Sequence, residues 1–301
     1  MAGLVMDHAY QGRIREASQR ASEAMALIES VGDPTLIAGL SLPVVYAKCE
    51  SGEWSDVLRW SQLVIDLADG DPSQGNFIFG SALALAFTTR AMARYYSGRP
   101  GWPDDLQQGL DTARRADPLS YAIIVGWVYS PGIPNGGLAA DDRAVREIED
   151  ALRIAERSGQ DLALSNARMT LGFALVHRQT DAERDRGQKL LAEVSQVFIR
   201  RGHNVGDRPA VNVYVARERA RRGDRDQAIP LMRAALDQLA REGQLMCWGA
   251  PATGVLVETL LDRGADGDIR EAEAAIERLA AAPADNGWLG ATSGCCGCAR
   301  C

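Results

Sequence analysis

Apolar residues recur at three- and four-residue steps through most of this 301-residue chain, and alternating β-branched runs are nearly absent. That period places apolar side chains on one face of an α-helix, whereas a half-buried strand needs strict alternation. The clearest example is the segment 141–157, in which Val145, Ile148 and Leu152 form a stripe opposite charged residues. The chain is therefore predicted to be all-α.

Signals that start a helix return at intervals of about 37–52 residues. Each is a small or acidic pair before an amphipathic segment, namely Gly52-Glu53, Asp104-Asp105, Asp141-Asp142, Thr180-Asp181, Gly223-Asp224 and Gly267-Asp268. Each predicted unit also holds a second, more apolar helix, at 34–48, 76–97, 119–129, 162–178, 209–222 and 245–263. Stop signals such as Gly159 and Gly243 separate the two kinds of helix.

Antiparallel helix pairs that repeat at roughly 34 to 47 residues are typical of an α-solenoid, in which no single pair buries its own apolar face. Because the spacing here is longer than that of a tetratricopeptide repeat, we predict a tetratricopeptide-like array of antiparallel pairs with long or uneven helices. Such an array curves into a superhelix with a concave groove. The alternative is an all-α globule with irregular packing, which has amphipathic stripes but no regular spacing.

Residues 1–289 are predicted to form one array. The candidate point of subdivision lies near 130–138, where prolines and glycines interrupt the helical pattern. Residues 290–301 are a separate tail, which holds Cys295, Cys296, Cys298 and Cys301.

Charge and cysteine usage exclude several classes of function. The 33 Lys and Arg against 40 Asp and Glu give a net charge of −7, the wrong sign for a general nucleic-acid or anionic membrane surface. No apolar run is long enough to span a bilayer, and the N-terminus does not resemble a signal peptide. Since only Cys49 and Cys247 precede the tail, we predict a reducing, cytoplasmic environment.

The sequence contains none of the common catalytic or metal-binding motifs. A P-loop is absent, and Lys48 and Lys189 are the only lysines. His8, His177 and His203 form no metal-ligand motif, and no GxSxG sequence supports a serine nucleophile. We therefore predict no catalytic, cofactor-binding or metal-binding residues.

Two charged clusters are interpreted as structural. The acidic pairs Asp104-Asp105 and Asp141-Asp142 precede amphipathic segments, which favours helix capping and interaction with the helix dipole over acid–base chemistry. The basic cluster at 217–222 is interrupted by Glu218 and followed by aspartates, which favours a solvated helix end over an anion site.

A binding groove is the remaining candidate site. Aromatic residues make up 6% of the chain, and most are expected in the core between helices. A few polar and aromatic residues lie near predicted loop edges, where a groove can open. We therefore predict a partner or ligand groove formed by Tyr129, Asn135, His203, Asn204 and Trp248.

Three stretches, 52–95, 141–178 and 232–264, carry a resemblance to a family. They include GEWSDVLRWSQLVIDLADGD, DDRAVREIEDALRIAERSGQ and MRAALDQLAREGQ. The chain resembles, over nearly all of 7–289, the C-terminal tetratricopeptide-like region of large actinobacterial (mycobacterial-type) proteins. Those proteins also contain a class III nucleotidyl cyclase domain and a signal-transduction ATPase domain.

This resemblance implies a regulatory tail that contains neither the cyclase domain nor the ATPase domain. The expected partners are another protein, neighbouring cyclase or ATPase domains, or a small ligand held in the concave face. One alternative is an enzyme, an adenylate or guanylate cyclase, which the missing cyclase and P-loop motifs disfavour. Another is an ATP-binding transcriptional regulator, but the acidic balance disfavours direct DNA binding.

The cysteine-rich tail is interpreted as a disordered or frameshifted end. Four thiolates satisfy the ligand number of zinc, but the tail lacks two CxxC pairs separated by a longer loop. A GC-rich coding sequence for 290–301, translated in another frame, gives an amphipathic helix rich in Arg and Leu. That helix would continue the array after Leu289, so we expect the final helix of the array to have been lost.

Overall fold

The computed structural model describes residues 1–77 and 80–282. Within these ranges the chain is helical and contains no strand, which confirms the all-α prediction. No helix there is long and apolar enough to cross a bilayer. The predicted tail at 290–301 and the predicted end of the array at 289 lie outside the described residues.

The described residues form fourteen helices. They are α1 (Ala2–Tyr10), α2 (Ile14–Ser30), α3 (Pro34–Ser51), α4 (Trp54–Ala68), α5 (Ala82–Tyr96), α6 (Trp102–Ala116), α7 (Pro118–Gly132), α8 (Asp142–Ser158), α9 (Asp161–Val176), α10 (Asp181–Arg201), α11 (Arg208–Arg221), α12 (Arg225–Glu242), α13 (Ala250–Arg263) and α14 (Asp268–Ala280). A 3-10 turn, Val205–Asp207, precedes α11, and a π-helical turn, Leu245–Gly249, precedes α13.

Local sequence sets many of the helix ends. Side-chain oxygens accept first-turn N–H groups at the starts of α3, α5, α7, α8 and α10, from Asp33, Ser81, Asp117, Asp141 and Thr180. Glycines in the left-handed conformation follow α3, α8, α10, α12 and α13, at Gly52, Gly159, Gly202, Gly243 and Gly264. The predicted stop signals at Gly159 and Gly243 therefore do end helices.

The acidic pair at 104–105 differs from its predicted role. Helix α6 already begins at Trp102, so both aspartates lie inside its first turn. Asp105 is buried and accepts hydrogen bonds from Arg90 Nε and Nη2 at 2.9 and 2.6 Å, while Arg94 Nη1 lies 2.8 Å away. N-capping was therefore the wrong interpretation for this pair, whereas the predicted interaction with the helix dipole fits two acidic residues in the first turn. Asp105 is also held by an ion pair between α5 and α6.

The helices are arranged in two layers. Each helix packs against the next one along the chain, and the odd-numbered helices α1 to α13 also pack against one another in order. These odd-numbered helices include the more apolar segments found in the sequence. Apolar residues on several faces of α3, α7 and α9 are buried, because each of these helices is covered by both neighbours and inner-layer helices.

Contacts between the two halves of the chain close the inner layer into a ring. Gln11 Nε2 donates to the carbonyl of Gly202 at 2.7 Å, across 191 residues of sequence. Arg15 donates to the carbonyls of Arg241 and Ala240 at 2.8 and 3.0 Å. These carbonyls belong to the C-terminal turn of α12, where a cation is favoured by the helix dipole.

A close backbone contact marks the same closure. A Cβ atom placed on Gly206 would lie 3.2 Å from both the Ala9 carbonyl oxygen and the Gly12 Cα. The 3-10 turn can therefore approach the end of α1 only because residue 206 has no side chain.

We expect Gly206→Ala to lower the free energy of unfolding by about 1 kcal/mol or more, since the methyl group forces α1 away from the turn. Gly254→Ala is the matched control, because a Cβ there meets nothing within 4 Å and lies inside α13. The control should leave stability unchanged or raise it by roughly 0.5–1 kcal/mol. Urea titration of both variants measures this, and equal stability of the two would contradict the close contact.

Candidate ligand cavity

A cavity of about 190 Å³ lies inside the ring of inner helices. Its wall is formed by α1, α3, α5, α7 and α9, by the residues preceding α5 and α9, and by the two short turns before α11 and α13. No lining residue comes from an even-numbered helix. The cavity is therefore a product of the inner layer and of its closure.

Aromatic rings form one side of the cavity. Tyr46 lies between Tyr10 and Trp127, with ring centroids 5.8 and 5.5 Å away and edge-to-face geometry in both pairs. These contacts join α1, α3 and α7. Aliphatic and thioether side chains, such as Leu42 and Met169, continue the wall, so most of the surface that meets a ligand is apolar.

Two carboxyl groups interrupt this apolar wall. Glu50 at the end of α3 is 6% exposed, and Asp207 in the 3-10 turn is 5% exposed. Glu50 Oε2 accepts one hydrogen bond, from Gln244 Nε2 at 2.9 Å, whereas no hydrogen bond from the described residues reaches the Asp207 carboxyl. No Lys, Arg or His is among the residues that line the cavity.

Burial shifts both carboxyl groups toward the neutral form. Removal from water raises the pKa of Glu50 from 4.5 to about 7, a rise that the hydrogen bond from Gln244 partly offsets. The Trp248 indole also lowers this pKa, although its N–H falls short of full hydrogen-bond geometry. Burial, and then the nearby charge of Glu50, raise the pKa of Asp207 well above its usual range.

Other polar atoms at the cavity have no partner among the described residues. They are Ser130 Oγ, Asn204 Oδ1 and the indole Nε1 of Trp248, in side chains at most 6% exposed. A buried polar group without a hydrogen bond costs roughly 1–3 kcal/mol. Such groups are rare in native interiors, so three at one cavity indicate a place for a polar ligand or water.

The chain positions these groups by breaking its own helices. Pro251 has no N–H to donate to the carbonyl of Cys247, one turn earlier, and the helix before it takes a π-helical turn. The freed carbonyl lies 3.5 Å from the Tyr96 hydroxyl, and Trp248 lines the cavity. Asn204 adopts the left-handed conformation, with φ of 51°, just before the 3-10 turn.

The structure brings two of the five predicted groove residues together, since Asn204 and Trp248 both line the cavity. Asn204 Nδ2 donates to Asn166 Oδ1, and the side-chain oxygen of Asn204, Oδ1, has no partner among the described residues.

The other three predicted residues lie elsewhere. Tyr129 is buried, and its hydroxyl donates to Glu147 Oε2 at 2.6 Å between α7 and α8. Asn135 accepts from the Tyr95 hydroxyl through its main-chain oxygen at 2.9 Å, beside a separate pocket of about 30 Å³. His203 is half-buried, with Nε2 3.4 Å from Ser165 Oγ.

Sequence reasoning missed Glu50, Asp207, Tyr10 and Tyr46 as site residues. The available signal was an acidic residue at the end of an apolar helix, in the segment LSLPVVYAKCE. Asp207 carries no comparable signal, because its burial depends on residues that are distant in sequence.

A second, polar groove of about 650 Å³ lies between α9, α10 and α11. The basic cluster at 217–222 matches in part the solvated helix end that the sequence suggested: Arg219, Arg221 and Arg222 are exposed, whereas Arg217 is 8% exposed and donates to the Val176 carbonyl. Burial and the adjacent Arg217 lower the pKa of His177 to about 3, so this imidazole is neutral. Arg221 pairs with Glu218, and Arg222 pairs with Asp185.

Metal binding finds no support in the described part of the chain, where no cluster of three or more His, Cys, Asp or Glu side chains could hold an ion. No family model and no curated protein matches the chain. The geometry of the cavity is therefore the basis on which its role is interpreted.

The raised pKa of Glu50 makes stability depend on pH. The folded state binds this proton more tightly than the unfolded state, so stability falls as pH rises from about 4.5 through about 7. Glu50→Gln should remove about 1–3 kcal/mol of this fall. Glu149→Gln, at a partly exposed carboxylate paired with Arg186, is the control. Urea titrations at about pH 5 and about pH 8 measure the change in the free energy of unfolding between the two pH values. An equal change in Glu50→Gln and Glu149→Gln would contradict the prediction.

Proposed function

We propose that this chain is a non-catalytic, tetratricopeptide-like solenoid that binds a small ligand in the cavity of its inner layer. The observation that carries the proposal is an internal cavity lined by apolar surface and by buried polar atoms without partners. Each such atom costs free energy unless a ligand or water satisfies it, so a polar molecule bound here would remove that cost.

The packing order supports a solenoid. In such arrays each helix pair contacts mainly its neighbours, and the pairs stack into a superhelix. The successive contacts along the chain and those among the odd-numbered helices follow this pattern. The contacts across the ring are an addition, and they bring the concave side of the array around a cavity that stays partly open.

The size and chemistry of the cavity support a small ligand. Its volume of about 190 Å³ exceeds the roughly 150 Å³ of an engineered apolar cavity that binds benzene. Ligand sites are mostly apolar, with a few polar groups that fix orientation. The aromatic wall and the group around Glu50, Asp207, Asn204 and Trp248 provide both elements.

The ligand would touch both sides of the ring closure. Residues from α1 and α3 and from the turns before α11 and α13 line the same cavity. A molecule that contacts all of them favours the closed arrangement over any opened one. In the regulatory tail of a cyclase or ATPase protein, as the family resemblance suggests, this closure would transmit occupancy to neighbouring domains or to a protein partner.

Gly126→Leu tests the cavity directly. A Cβ at Gly126 has one neighbour within 4 Å, Thr170 Oγ1 at 3.6 Å, so a leucine side chain can enter the cavity without a backbone clash. After incubation with a small-molecule cell extract, native mass spectrometry should detect a ligand on the unmodified chain and at least tenfold less on this variant.

Gly254→Leu is the control, since it adds the same side chain to helix α13 with open space around it. This variant should retain the ligand fully. Equal retention by Gly126→Leu, or no retained molecule on any form, would contradict the proposed site.

We also expect no catalytic turnover from the chain itself. Purified protein incubated with ATP and manganese should form no cyclic AMP above a protein-free blank, because the cyclase and P-loop motifs are absent from its sequence. Cyclic AMP formation that increases in proportion to the protein concentration would overturn the non-catalytic assignment.

A further inference from the structure

We propose that the ligand of the inner cavity is an organic amine, with its ammonium group against Glu50 and Asp207 and its apolar part along the aromatic wall. This inference rests on the proposed function, because it names the chemical class of molecule that the same cavity takes. It follows from the charge, hydrogen bonding and wall composition of the site.

The cavity has acidic groups without a basic partner. Glu50 and Asp207 line it, and no Lys, Arg or His among the described residues does so. Elsewhere the chain pairs its buried carboxylates, as in Asp105 with Arg90 and Glu147 with Arg114. A buried carboxylate is costly unless a cation or several hydrogen bonds compensate it. The missing cation at this site is therefore best supplied by the ligand.

The hydrogen-bond pattern favours a donor on the ligand. Glu50 accepts a single hydrogen bond, from Gln244, and the described residues donate none to the Asp207 carboxyl. Asn204 Oδ1 and Ser130 Oγ also have free acceptor positions. An ammonium group has three donors, which matches these acceptors, while the Trp248 indole N–H is directed at Glu50, whose pKa it lowers. A ligand carboxylate would instead add a third acidic group to a site with no base.

The aromatic wall suits the rest of such a molecule. Tyr10, Tyr46, Trp127 and Trp248 line the cavity together with aliphatic side chains. The faces of tyrosine and tryptophan rings attract organic cations, and the effect is larger where water is excluded. An amine with an attached aryl or alkyl group therefore meets complementary surfaces at both ends.

A matched probe panel tests the chemical class. Phenethylamine, phenethyl alcohol and hydrocinnamate share a phenyl group and differ in the polar end, and hexylamine, hexanol and hexanoate repeat the comparison with an alkyl chain. Calorimetric titration of the full chain near neutral pH should show each amine binding about tenfold or more tightly than its alcohol, as expected for a charge-assisted hydrogen bond. The carboxylates should bind most weakly.

The double variant Glu50→Gln and Asp207→Asn should lose this preference while still binding the alcohols, which shows that it remains folded. Glu149→Gln, which removes a partly exposed charge on α8 outside the cavity lining, should keep the preference. The amine assignment would be overturned if amines bind no more tightly than alcohols, or if the preference survives in the double variant. Either result would still be compatible with a ligand site in the cavity. Absence of binding by every probe would count against the proposed function itself.

Discussion

The inner helices have apolar residues on several faces, so each one must be covered from more than one direction. The outer helices cover one side, and contacts among α3, α5, α7 and α9 cover another. The remaining surface faces the centre of the ring. Gln11 and Arg15, which donate to carbonyls at the ends of α10 and α12, hold the two sides of that surface together. The partly open cavity is thus a consequence of how these helices cover their apolar residues.

The polar groups at the cavity are buried in an inner layer whose other contacts are mainly apolar. Glu50 and Asp207 lie where burial disfavours their charged forms, and Trp248 and Ser130 leave polar atoms without partners. Departures of this kind are expected at functional sites, where stability is given up for binding. Lys48 shows the contrasting solution, because it is also buried but lies 3.0 Å from Ser18 and pairs with Glu53.

Much of the secondary structure was predictable because its causes are local. The period of the apolar residues identifies helices, and capping at Asp141 and the glycine stop at Gly159 depend on adjacent residues. The ring closure was not predictable from such signals, since Arg15 binds main-chain carbonyls 225 and 226 residues away. Every residue has such a carbonyl, so the residue types do not show which ones accept. Asn204 and Trp248 were found from loop position and composition. Glu50 and Asp207 were missed because only the tertiary arrangement places them at the same cavity.

The cavity depends on the contact of α1 and α2 with the segment from α10 to α12, and a distance across that contact tests it most directly. Spin labels at Arg13→Cys and Arg241→Cys, both at exposed positions, report this distance when the four tail cysteines are replaced by serine. Cys49 and Cys247 are buried, and burial raises the pKa of both thiols, so they resist labelling. Double electron–electron resonance should show a narrow distribution well below about 30 Å, the length of a 20-residue helix. A broad distribution centred beyond that length would show that these helices do not meet, and it would contradict the proposed cavity.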